Sequence, residues 1–172
     1  HGFPHRALAV GIDTLTAWNT GPAQWRPADI WLRQQYPAVR NSIQTPAGLF
    51  GSMAINGAAF LEWTHRLDPS GWLQITEAHP QVCYYAATGR RHNWTDDDAR
   101  AQMLDWLGNE LGLDVLGLGT AADHAFDAAI GALAAFCGLN GEWTHDLHAE
   151  RPANGRPENV HPFGRTHFWW PK

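Results

Sequence analysis

Two cysteines, two methionines and only twelve Lys plus Arg stand among the 172 residues. Each scarcity excludes something. Cys83 and Cys137 sit apart, in the apolar settings Val82–Tyr85 and Ala134–Cys137. They can build neither a disulfide framework nor a zinc knuckle, and buried free thiols are expected. The few cations, against a formal charge of −5, argue against a protein that lives on long nucleic-acid contacts, whose affinity comes from neutralising phosphates. They leave open an enzyme whose metal ions meet the phosphate directly. No apolar run is long enough to cross a bilayer, so no membrane partner is expected and a reducing cytoplasm is the expected compartment. No Gly-rich loop precedes a helix, which counts against a nucleotide phosphotransferase on an actin-like fold.

Tryptophan is what the chain has in excess. Ten of them imply packed aromatic clusters or ring surfaces that bind something flat. Hydrophobic residues make up 44% and charged residues 17%, enough apolar material for a substantial core in a single domain spanning 1–172. The chain opens on His1, and the expectation is a fragment or a processed chain.

The periodicities alternate between strand and helix. Ala7–Ile12 reads as a short strand, with Leu8, Val10 and Ile12 on one face and small residues leading to Asp13 on the other. Pro27 suits the first turn of a helix to about Tyr36. Apolar and small residues recur at helical spacing over 47–67, and Pro69-Ser70-Gly71 is a turn. Trp72–Glu77 reads as a strand in which Leu73, Ile75 and Glu77 share a face. Pro80 starts a helix that Gly89 ends. Thr95, followed by three aspartates, predicts a capped helix ending near Gly112. Ala121–Gly138 is the cleanest helix, with an apolar stripe of Phe126, Ala129, Ile130, Leu133, Phe136 and Cys137. From about residue 139 the prolines and glycines predict a long loop or tail, with His167–Trp170 as a short strand or aromatic latch. The class is α/β.

Three carboxylate placements carry the chemistry. Asp13 follows a strand end, where open α/β sheets bind ligands, although a turn Asp bonding its own backbone reads equally well. Glu77 shares the face of Leu73 and Ile75, and an inward Glu is paired or ligating. Asp123 and Asp127 lie four apart on one helix, where like charges repel unless a cation sits between them. Helix N-terminal stabilisation accounts for Asp123 but not for Asp127. His124 is one position round and could donate a proton or meet a phosphate. His145 and His148 lack a third ligand at zinc spacing and are expected to face solvent.

Together these residues resemble the RNase H-fold nucleases of the DUF429 kind. The pattern is Gly11-Ile12-Asp13, Ile75-Thr76-Glu77-Ala78-His79-Pro80 and Asp123-His124-Ala125-Phe126-Asp127-Ala128. Gly48–Met53, Trp143–His148 and Phe168–Pro171 extend it over nearly the whole chain. The resemblance implies a mixed sheet flanked by helices. It implies Mg²⁺ or Mn²⁺ on Asp13, Glu77 and Asp127, with Asp123 or His124 assisting, and phosphodiester hydrolysis of DNA or RNA. The family pattern opens with an earlier strand hairpin bearing a further Asp. Nothing upstream of Gly11 supplies it, so part of that hairpin is expected to be missing. A noncatalytic binding or assembly module with an incomplete acidic site is the competing expectation.

Overall fold

The structure, a computed structural model, describes residues 8–19, 25–44, 52–151 and 159–171, with 52–54 described by backbone alone. Among these residues the order is β1 (Ala9–Ile12), β2 (Trp18–Asn19), α1 (Pro27–Gln35), α2 (Ser52–Leu67), β3 (Gln74–Glu77), α3 (Pro80–Thr88), α4 (Asp97–Leu111), α5 (Asp123–Leu139), β4 (His145–Asp146), β5 (Asn159–Val160) and β6 (Trp169–Trp170). Short 3₁₀ turns at Pro37–Ser42, Leu116–Thr120 and Leu147–Ala149 fill the connections. The architecture is mixed α/β. The predicted helix over 47–67 is described only from Ser52, and the Gly48–Met53 stretch lies largely outside the described residues.

β1 and β3 pair in parallel, with Gly11 opposite Thr76 and Ile12 opposite Glu77. Parallel pairing brings both strand ends, with Asp13 and Glu77, to the same edge. α5 lies across this pair at very close range. A Cβ built on Gly11 would stand 1.8 Å from the carbonyl oxygen of Gly131, so two glycines are what let helix and strand meet there. The core gathers behind α5: Phe126, Ile130 and Leu133 pack with Val82, Met103, Leu107, Phe168 and Trp170.

Several expectations are corrected. Thr76 and Glu77 are both buried, so the C-terminal end of β3 is covered on both faces, while Gln74 at its start is exposed. The reason is a third segment on its far edge: His167 bridges Thr76 in parallel, and Glu77 N donates to the His167 carbonyl at 2.7 Å. That segment is His167–Trp170, expected as a short strand or aromatic latch: β6 pairs antiparallel with β4, and Phe168 and Trp170 are buried. The rest of the region after 139, expected as a loop or tail, also supplies β4 and β5, the latter paired with β2. Phe136, placed on the apolar stripe of α5, is 56% exposed. The cap of α4 is Asp96, whose carboxylate accepts from Ala99 N at 2.8 Å, while the Thr95 hydroxyl donates to Asn93. Both cysteines are buried free thiols, and Gly89 ends α3 at φ +71°. No helix among the described residues is long and apolar enough to cross a membrane.

Candidate functional site

Asp13, Glu77 and Asp127 line one cavity of about 230 Å³, together with Asp29, Arg26 and His79. Each is delivered by a different element. Asp13 is in the bend that ends β1, Glu77 closes β3, and Asp127 is one turn into α5. The α5 register over Gly11 sets how near Asp127 comes to the strand ends.

Arg26 organises the cavity floor. It precedes Pro27, whose missing N–H suits the first turn of α1, and Asp29 in that turn accepts from Arg26 N at 3.2 Å. The Arg26 side chain is then spent completely. Nε and Nη2 donate to Asp29, Nη1 and Nη2 donate to Glu77 at 2.7 and 2.6 Å, and Nη1 also reaches the Ala17 carbonyl. All five guanidinium protons are used, which is the condition for burying the group at 1% exposure.

Glu77 is equally occupied. Its Oε2 accepts from Thr16 N and from the Thr16 hydroxyl as well as from Arg26. His148 Nε2 lies 3.4 Å from the same oxygen. Burial alone would raise this carboxyl, but Arg26, with His148 assisting, outweighs burial and holds it far below the ordinary range. A cation reaching Glu77 would have to compete with Arg26.

Asp13 and Asp127 have no guanidinium beside them. Asp13 is exposed as a residue and stands at the rim. Its carboxyl is nonetheless pushed up to about 7, by the protein packed around it and then by the charges of Asp127 and Glu77, with His124 opposing. Asp127 is also raised, by burial first, against the opposing charge of His92. Its Oδ1 is buried without a hydrogen-bond partner. His92 Nε2, buried and likewise unpartnered, stands 3.7 Å from that oxygen, too far for a bond.

Asp123 and His124 do not line the cavity. Asp123 accepts from His124 N at the start of α5, and the His124 ring projects into solvent at 91% exposure. His145 and His148, expected to face solvent, do not. The His148 side chain is 3% exposed against Glu77, and His145 pairs with Glu150 at 2.7 Å.

Arg26, His92 and His148 were missed by sequence reasoning. Arg26 carried one readable signal: an Arg and an Asp three apart about a helix-starting proline. His92 and His148 reach the site only through tertiary contacts.

The donor set can be compared with what a divalent ion needs. Four carboxylates line the cavity against one guanidinium, so negative charge is in excess. Among the described residues no group of three or more His, Cys, Asp or Glu side chains is placed to hold a metal. Two open carboxylates, Asp13 and Asp127, remain. Mg²⁺ is commonly held by one or two carboxylates, with water and substrate phosphate completing its shell, so in donor chemistry the two suit at most one such ion. Comparison with protein-family models, curated proteins and solved structures gives no match to this chain.

Proposed function

We propose that this cavity is the centre of a divalent-metal-dependent nuclease with an RNase H-like arrangement of the DUF429 kind. Asp13 and Asp127 would hold a single Mg²⁺ or Mn²⁺. The observation that carries the reading is the buried, unpartnered Oδ1 of Asp127, a residue that lines a cavity with surplus negative charge. A buried carboxylate oxygen without a partner is costly, and a cation is the usual compensation. When bound, such an ion polarises a phosphate and lowers the pKa of a coordinated water. The chain's own residues do the rest. Arg26 and Thr16 hold Glu77 still, so the cavity floor keeps its shape and its charge. Asp13, whose carboxyl is pushed up to about 7, would have to be deprotonated to serve as a ligand. DNA or RNA is the substrate class, met through phosphate and metal because the chain has few cations to spare.

Mn²⁺ titration paired with cleavage assays on single- and double-stranded DNA and RNA tests the proposal. One weak Mn²⁺ site is expected, lost in Asp13→Asn and Asp127→Asn, with slow metal-dependent cleavage lost in step. Cleavage that persists in chelator and in both variants would sink it. Absence of both binding and cleavage would instead support the noncatalytic binding or assembly module, a reading favoured by Arg26's hold on Glu77.

A further inference from the structure

The segment after α5 builds a second cavity, of about 360 Å³, between residues 148–151 and 159–165. It adjoins the acidic cavity through one contact: His148 lines the second, Glu77 lines the first, and the two side chains meet at 3.4 Å. Its chemistry has the opposite sign. Arg151, Arg165, His161 and His148 line it, and the carboxylate of Glu150, its single acid, is already engaged by His145. Both arginines are exposed, and neither guanidinium has a partner among the described residues. One ring nitrogen in the lining, His161 Nδ1, is buried without a hydrogen-bond partner, whereas His148 Nε2 faces Glu77.

A chain of net charge −5 has few cations, and concentrating two arginines, neither paired among the described residues, and two imidazoles at one cavity needs an explanation. Like charges held together cost stability unless an anion joins them. Burial, and then the positive charges of His148 and Arg165, keep the His161 imidazole below the ordinary histidine range, as a cavity short of anions would. Two guanidinium forks and an imidazole lining one cavity match an oxyanion that accepts bonds in several directions, which a tetrahedral phosphate does and a planar carboxylate does less well.

We propose that this cavity is a phosphate-binding subsite, with Arg151 and Arg165 as its forks and His161 as a further donor. The phosphate belongs either to a chain terminus or to an internal phosphodiester of a polynucleotide. The inference does not depend on metal at Asp13 and Asp127.

The test uses the full chain in EDTA, so that no metal can bring phosphate to the acidic cavity. Inorganic phosphate is titrated calorimetrically at low ionic strength into the wild type, the Arg151→Gln/Arg165→Gln double variant and His161→Gln. Circular dichroism confirms that each is folded. The double variant, changed only at exposed positions, is expected to bind phosphate about tenfold more weakly or worse, and His161→Gln less tightly than wild type. A short oligothymidylate with and without a 5′-phosphate identifies the source. A preference for the phosphorylated strand that the double variant loses assigns a terminal phosphate. Equal binding of both strands, weakened alike in the double variant, assigns an internal phosphodiester. A folded wild type that binds no phosphate, or a double variant that binds as wild type does, overturns the proposal.

Discussion

Arg26 and Glu77 form a two-point ion pair inside the protein, at 2.6 and 2.7 Å, with exposures of 1% and 3%. Removing one member leaves the other buried and charged, at a cost of about 3–5 kcal/mol. Arg26→Gln is therefore expected to destabilise by that order in urea unfolding at neutral pH. The pH dependence gives a second check. The folded pKa of Glu77 is depressed, so the pair's contribution is complete above its ordinary value of 4.5 and is lost as pH falls below it. In Arg26→Gln the same carboxylate has no guanidinium to oppose burial, so protonation relieves it. The gap between wild type and variant should narrow on acidification. A gap independent of pH would show that Arg26 contributes packing rather than charge.

Asp13 carries the opposite sign. Its carboxyl is raised to about 7 by burial and by Asp127 and Glu77, so its ionisation withdraws stability as pH rises from 3.8 through 7. Asp13→Asn should therefore melt higher than wild type at about pH 8 and equally at about pH 4. The gain is on the order of 1 kcal/mol, after allowance for the residue's exposure. Asp127→Asn should likewise cost little in the absence of metal, since it removes repulsion with Asp123. Strong destabilisation by Asp127→Asn would instead show that the acid works as the ion-pair partner of His92.

Gly11 sets the distance between the two halves of the cavity. Gly11→Ala forces α5 and β1 apart, because the added methyl would fall 1.8 Å from a backbone oxygen that cannot rotate away. A loss of about 1–3 kcal/mol or more is expected from the overpacking. Any Mn²⁺ affinity should fall with it, since Asp127 rides on the displaced helix. Unchanged melting would mean that the crossing is looser than its backbone contacts indicate.

The core of α5 separates in the same way. Leu133→Ala, at a position 1% exposed, should cost about 2–5 kcal/mol. Phe136→Ala, at a position 56% exposed, should stay within about 0.5 kcal/mol. Thermal melts of the pair show which face of the helix is packed.

What the sequence made legible is local. Pro27, Pro80 and Gly89 mark helix ends because their backbone constraints act on the spot, and the structure follows them to within a residue or two. The three acids at two strand ends and a helix turn could be brought to one edge by alternation and spacing. The partners of those acids could not. Arg26 is 51 positions from Glu77, and nothing local to either announces the pair. His92 and His148 fail for the same reason. His167–Trp170 aside, the region from 139 onward reads as a loop because β4 and β5 are two residues long, too short to show alternation, and stand only through pairing with distant segments. Sequence periodicity reports how an element faces its own neighbours; it is silent on what closes over it.

That closure has a consequence for how the molecule is made. The Thr16 hydroxyl, which helps hold Glu77, is bonded at 2.7 Å to the Thr166 hydroxyl, 150 positions away, and Glu77 N finds its acceptor in His167. Such pairings carry the full entropy of closing a long loop before they contribute anything. While the chain is still being synthesised, Arg26 and Glu77 are both present, but the segment that seals them from water has yet to be made. A nascent chain stalled before residue 166 would therefore carry every acid of the cavity without the Thr166 and His167 contacts that help enclose them.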